Sequence, residues 1–239
     1  MTSPRIAFAG AGALGSVIGG LMTEAGHDVT LVDQWPEHVE AIKKHGLRVT
    51  TRDGEHAVNA KALQIHELQS VDEPFDIVFI AVKSYDTDWA VRLMLPYSHA
   101  ETRFLSIQNG INDDRVIAAA GRERTLGFIT TIAAGLYDPG HAMRTDDTEK
   151  MAYTIGELDG ADTPRAREVI ELASAAGKTK FTDNLMGERW GKLASNCALN
   201  ATAGITGYGT ADVIYNEDSR KVGVQCAAEA IRVGRALGY

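Results

Sequence analysis

Residues Ile6-Ala7-Phe8-Ala9-Gly10-Ala11-Gly12-Ala13-Leu14-Gly15 decide the fold of the N-terminal part. A short apolar run stops at Gly10, Gly12 and Gly15 follow at the spacing G-x-G-x-x-G, and helix-forming residues continue to Ala25. A strand, a tight turn and a helix in that order seat the pyrophosphate of a dinucleotide. Gly10 makes the turn, Gly12 lets the backbone approach the phosphates, and Gly15 lets helix and strand pack closely. Ala11, Ala13 and Leu14 complete the loop, and the helix start supplies free N–H groups and a partial positive charge. The bland alternative is a Gly-rich structural turn. Placement after a strand and before a helix favours the dinucleotide site.

Outward from this motif, strand and helix alternate. Strands are expected at Arg5–Ala9, Asp28–Asp33, Leu47–Thr50, Ile77–Val82 and Arg103–Ile107, with helices at Leu14–Ala25, Pro36–His45 and Asp86–Leu95. Short Val- and Ile-rich runs between helical patterns predict a doubly wound α/β domain with a parallel sheet covered on both faces. Further on, Leu126–Leu136 and Met151–Leu158 read as strands, with a turn at Asp138-Pro139-Gly140. They predict a β-rich, partly antiparallel extension on the sheet edge. Pro164–Ala176 reads as a helix closed by Gly177, and Thr179–Phe181 as a last strand. Helical segments at Met186–Ala203 and Ser219–Leu237 follow. The expected organisation is a Rossmann NAD(P)-binding domain at 1–183 and an all-α substrate and dimerisation domain at 184–239. Two helices make a thin domain. The helical part therefore reads as truncated, or as completed by a second copy.

A formal net charge of −8 without any basic run argues against nucleic acid or an anionic membrane as partner. Cys197 and Cys226 are too few for a disulfide framework and lie in no metal-ligand spacing, so no metal is expected. The apolar run after Arg5 is too rich in glycine for a signal peptide, and no stretch of about 18 apolar residues offers a membrane span. Cytoplasm is the expected compartment.

Asp33 closes the second strand, about 20 residues beyond the glycines, where a carboxylate hydrogen-bonds the ribose 2′-hydroxyl of NAD and repels a 2′-phosphate. Its structural alternative is a helix cap. With Pro36 at the first helical position the cap falls on Trp35, which leaves Asp33 too early for that task. No Arg or Lys lies between Asp33 and Ala41. NAD is therefore favoured over NADP. A methyltransferase usually carries Gly where Leu14 stands, and no tyrosine is followed four residues later by lysine, as a short-chain dehydrogenase requires. An FAD site stays open on the fingerprint alone.

A second constellation lies at Trp190-Gly-Lys192-Leu-Ala-Ser-Asn196-Cys-Ala-Leu-Asn200. Lys192, Asn196 and Asn200 are spaced i, i+4, i+8 and share one helix face. Asparagine is poorly suited to a helix interior, so two on one stripe ask for a reason. Taken alone, the spacing is better explained by a solvated lysine and asparagines that bond a neighbouring loop.

Together with Gly10–Gly15, Ala81-Val82-Lys83 and Gln108-Asn109-Gly110, this stripe resembles the ketopantoate reductase (2-dehydropantoate 2-reductase) family in four motifs, in order, over essentially the whole chain. The resemblance implies a Rossmann domain followed by an all-α domain. The implied reaction is hydride transfer between NAD(P)H and a small 2-oxo acid, ketopantoate in pantothenate synthesis. It implies Lys192 as general acid and Asn196 and Asn200 as holders of the substrate's oxygens. Lys83 and Asn109 are implied beside the nicotinamide ribose and the substrate. Three departures stand out. Gln34 occupies the place of an Arg that meets the NADP phosphate, and Asp86 that of a Gln. The family's substrate-binding Ser and Glu lie beyond the residues given. The alternatives are a paralogous 2-hydroxy-acid dehydrogenase with another substrate, and a nucleotide-binding protein without catalysis. A homodimer through the helical domain is the expected assembly.

Overall fold

Alternate residues of the first strand bury on opposite sides, which makes it the centre of a sheet. The computed structural model describes residues 3–239. In chain order it runs β1 (Arg5–Ala9), α1 (Ala13–Glu24), β2 (Asp28–Asp33), α2 (Pro36–His45), β3 (Leu47–Thr50), β4 (Glu55–Val58) and β5 (Lys61–Gln64). There follow β6 (Phe75–Ile80), α3 (Thr87–Met94), β7 (Ser98–Ser106), α4 (Asp113–Ala120), β8 (Gly127–Thr130), β9 (Ala134–Asp138) and β10 (His141–Arg144). The remainder is β11 (Tyr153–Gly156), α5 (Pro164–Ser174), β12 (Thr179–Phe181), α6 (Leu185–Thr206), α7 (Thr210–Tyr215) and α8 (Glu217–Ala236). The chain divides into two compact units. One takes the described residues up to Gln108 together with Asn112–Asp183, and the other takes Asn109–Ile111 with Asn184–Tyr239.

In the first unit a five-stranded sheet has the order β5-β2-β1-β6-β7, every pair parallel. Ile6 and Phe8 join Ile77, Phe79, Val17, Ile18, Met22 and Val169 in one apolar layer. Ala7 and Ala9 join Val78, Ile80, Ala90, Val91, Met94 and Val116 in the other. Helices α1 and α5 thus cover one face, α3 and α4 the opposite one. Each fully buried Ile or Phe stabilises this sandwich by about 1.5–3 kcal/mol. Because β2 lies on one side of β1 and β6 on the other, the chain reverses direction across the sheet between them. The C-terminal ends of β1 and β6 are then the place where an open α/β sheet binds ligands.

Several expectations are corrected. Leu47–Thr50 forms a strand but not in the parallel sheet, whose third place belongs to β5. It sits instead in a four-stranded sheet, β4-β3-β10-β9, antiparallel to β4 and parallel to β10. The β-rich extension is two separate sheets, this one and β12-β11-β8; the second is joined to the main sheet by the bridge between Phe104 and Thr125 and by Phe128 packed edge-on against Phe79. The run Leu126–Leu136 is broken, because β8 pairs with β11 whereas β9 turns at Asp138-Pro139-Gly140 to pair with β10. Strand β6 ends at Ile80, two residues before Val82.

The second unit holds three helices, α7 being additional to the two expected. Asn184 caps α6 by accepting a hydrogen bond from the Gly187 N–H at 3.1 Å, and Gly207, with φ of 72°, ends it. Trp190 of α6 stacks on Tyr239 with ring centroids 6.5 Å apart. Among the described residues no helix is long and apolar enough to cross a membrane, and no cluster of His, Cys, Asp or Glu is placed to hold a metal ion.

Candidate active site

The turn after β1 forms a cradle of backbone. Gly10 has a φ of 108°, a conformation costly for any residue with a Cβ. A Cβ added there would stand 2.8 Å from the Val82 nitrogen. One added to Gly15 would come within 2.0 Å of the Gly10 carbonyl oxygen and 3.3 Å of the Ala81 Cβ. Gly10, Gly15 and Ala81 therefore pack against one another. The small size of Ala81 is a requirement that spacing alone did not disclose. Gly12 is different: a Cβ there would meet nothing within 4 Å, and no side chain caps the first turn of α1. Open space beside uncapped N–H groups fits a dinucleotide pyrophosphate. Ala11 is buried beneath the loop, while Ala13 and Leu14 are half-buried at the start of α1.

Asp33 ends β2 directly beneath this loop. Its Oδ2 accepts from the Ala11 N–H at 2.6 Å and its Oδ1 from the Trp35 N–H at 2.9 Å. Trp35 is the cap residue of α2, so the carboxylate does help shape the helix entry, a role the sequence reading withheld from it. An ionised carboxylate has further lone pairs for a ribose hydroxyl.

At the end of β6, Lys83 is exposed and opens a short turn over Ser84–Asp86. The turn is fastened by a residue the motif named without a role. Buried Gln108 donates from Nε2 to the Val82 carbonyl at 2.7 Å and accepts at Oε1 from the Ser106 hydroxyl at 2.9 Å. Asn112 donates to the Ser84 Oγ at 3.1 Å, and Arg115 to the Ser84 carbonyl at 2.8 Å. Replacing Gln108 with Leu keeps the volume but strips these groups of a partner. A loss of about 1–3 kcal/mol in urea unfolding is expected, and an unchanged midpoint would show the network to be idle. The neighbouring Asn109, Gly110 and Ile111 group with the helical unit.

On α6, Lys192, Asn196 and Asn200 share one face, and Asn200 Nδ2 donates to Asn196 Oδ1 at 3.3 Å. Burial, with the Arg189 guanidinium one turn earlier adding repulsion, pulls the Lys192 ammonium down from its ordinary value of 10.5 to about 8. A lysine so tuned gives up a proton near neutral pH far more readily than a solvated one. Arg189, itself buried, was overlooked in the sequence although it stands at i−3. The first unit thus gathers Gly10–Gly15, Asp33 and Lys83 at the strand ends. The second holds Lys192, Asn196, Asn200 and Asn109.

Known proteins share both halves. The family model for ketopantoate reductase PanE/ApbA matches residues 6–160, and the model for its C terminus matches residues 184–239. A 2-dehydropantoate 2-reductase from Archaeoglobus fulgidus is 31% identical over 241 residues, spanning 100% of this chain and 76% of that protein. The crystal structure of a 2-dehydropantoate 2-reductase from Geobacter metallireducens superposes with a TM-score of 0.87 at 26% identity, covering 98% of this chain and 76% of that one. A D-mandelate dehydrogenase solved with NADH and anilino(oxo)acetate has the same fold, with a TM-score of 0.84 at 23% identity, over 97% of this chain and 74% of that one. With its Gly-rich cradle and its Lys-Asn-Asn stripe, the chain belongs to the ketopantoate reductase family.

Proposed function

We propose that this protein is an oxidoreductase that reduces ketopantoate to pantoate with a nicotinamide dinucleotide. Gly10–Gly15 hold the pyrophosphate, with Asp33 beneath them, and Lys83 and Asn109 serve the nicotinamide ribose. When bound, the dinucleotide supplies the hydride. Lys192 donates the proton that the ketone oxygen needs as negative charge develops on it, and its positive charge stabilises that oxygen beforehand. Asn196, Asn200 and Asn109 donate amide hydrogens to the oxygens of the small acid, orienting its carbonyl. The observation that carries the reading is the half-buried Lys192, drawn down to about 8 on the same helix face as two asparagines. The test is a panel of 2-oxo acids, each offered with NADH and with NADPH. Ketopantoate should be turned over with the highest kcat/KM; equal or higher values for unrelated 2-oxo acids would overturn the substrate.

NAD is the preferred form in this reading, supported by the carboxylate of Asp33 under the loop and by Gln34 beside it. Asp33→Asn keeps one acceptor and removes the charge. The ratio of NADPH to NADH affinity should rise by roughly tenfold, as the cost of a carboxylate facing a phosphate disappears. Affinity for both should fall, because one of the two backbone bonds to Asp33 is lost. An unmoved ratio would leave the residue a purely structural part. In the same reading the enzyme works in the cytoplasm and its helical unit pairs with a second copy, supported by Val222, Val224, Ile231 and Val233, which α8 leaves exposed.

A further inference from the structure

His38 has no part in the motifs and no place in the chemistry above, yet it is fully buried at the start of α2. Its ring is held from two sides. The Gly140 N–H, in the turn between β9 and β10, donates to Nδ1 at 2.9 Å. Nε2 lies 3.1 Å from the Ser16 Oγ of α1. A backbone N–H can only donate, so Nδ1 carries the lone pair and Nε2 the proton. Nε2–H then donates to Ser16. The buried Ser16 hydroxyl in turn donates to the Ala11 carbonyl at 2.6 Å. Trp35 stacks on one face of the imidazole with ring centroids 5.5 Å apart.

The chain of donors runs one way, from Gly140 through His38 and Ser16 to Ala11. It ends on the carbonyl of the residue whose own N–H is bonded to Asp33. Ala11, between Gly10 and Gly12, is therefore gripped at both its N–H and its C=O. The grip matters because Gly12 and the first turn of α1 lack any side-chain cap, so their direction depends on what lies behind them. Desolvation pulls the imidazole below its ordinary value; the field of Asp33 and the Ala11 backbone pull the other way without prevailing. The ring is thus neutral, as the one-way relay requires.

We propose that His38, acting through Ser16 and the Ala11 carbonyl, is a positioning residue for the dinucleotide pyrophosphate, tying the β9–β10 hairpin to the phosphate-binding loop. This rests on the dinucleotide reading of the Gly10–Gly15 loop. Nothing in the relay touches the pyrophosphate directly. It stiffens the loop, so that less freedom is lost when the anion binds.

Three variants of the full chain test this: His38→Leu, which cuts both bonds; His38→Gln, which retains one acceptor and one N–H donor; and Ser16→Ala, which cuts the relay while leaving the ring buried. NADH and NADPH are titrated calorimetrically, and hydrogen exchange of the amides of residues 10–15 is followed without ligand. Kd for the preferred dinucleotide should rise roughly tenfold in His38→Leu and in Ser16→Ala, the scale of one lost hydrogen bond with its orphaned partner. It should return to within a few-fold of wild type in His38→Gln. The loop amides should exchange faster in the first two variants. At saturating dinucleotide, kcat and the KM for the oxo acid should stay within about twofold. A merely structural role would lower Tm but leave Kd and loop exchange alone in the folded Ser16→Ala variant, and that result would overturn the proposal. Failure of the wild-type chain to bind either dinucleotide would overturn the dinucleotide reading as well. Binding that is equal in all variants would overturn only the role of His38.

Discussion

Replacing Lys192 with alanine lowers kcat for ketone reduction by roughly 10²–10⁴, the usual scale of a lost general acid, and leaves dinucleotide affinity unchanged. The first effect follows from what the ammonium supplies: a proton at the developing alkoxide and a positive charge beside it. The second follows from where it lies, on α6 and outside the loop that holds the pyrophosphate. Its titration gives the prediction a second readout. Burial disfavours the charged form, and Arg189 adds like-charge repulsion, so the group loses its proton near pH 8. Reduction needs the protonated form, so its rate should fall as pH rises through about 8; oxidation of the alcohol needs the neutral form and should rise there. Lys192→Ala should lack this limb in both directions. Lys192→Arg separates the two roles, because guanidinium keeps the charge but does not release a proton near neutrality. A variant with wild-type turnover, or a pH profile indifferent to the substitution, would remove Lys192 from the reaction.

What could be read from the sequence is what local periodicity records. Strands β1 and β2 and helix α2 lie at the residues expected, because each carries a strong apolar pattern bounded by Gly, Asp or Pro. Strand β5, Lys-Ala-Leu-Gln, escaped because it is only four residues long and buries a single one of them, Ala62. Leu47–Thr50 shows the limit of such patterns. Its alternation marks a strand correctly, but its sheet is chosen by His141–Arg144, almost a hundred residues on, with which it pairs in parallel. The same distance hid His38, whose partner Gly140 is 102 residues away, and left Gln108 as a motif letter without a task. By contrast the face shared by Lys192, Asn196 and Asn200 follows from helical spacing alone. Its chemical tuning depends on burial, which spacing does not reveal.

The sharpest separation of folding from binding comes from two glycines three residues apart. Gly15→Ala should fail in both. Its Cβ would lie 2.0 Å from the Gly10 carbonyl oxygen, a backbone atom held in place by the tight turn, so α1 could not pack on β1 without displacement. Overpacking of this kind costs about 1–3 kcal/mol or more, and Tm should fall accordingly. Gly12→Ala should behave in the opposite way. Its φ of −66° suits any residue, and a methyl group there meets no protein atom within 4 Å. Stability should hold or even rise by about 0.4–1 kcal/mol, since the unfolded chain loses freedom. The methyl would, however, occupy the open space beside the uncapped first turn of α1, where the pyrophosphate must approach the backbone. A steric cost of about 1–3 kcal/mol corresponds to a Kd for NADH or NADPH raised by roughly 5- to 150-fold. The measurement is a pair of numbers for each variant, Tm without ligand and dinucleotide Kd by titration. A Gly12→Ala protein that melts normally and binds normally would mean that the emptiness beside Gly12 is not where the anion sits. A Gly15→Ala protein unchanged in both would mean that the close packing of α1 on the first turn is not required.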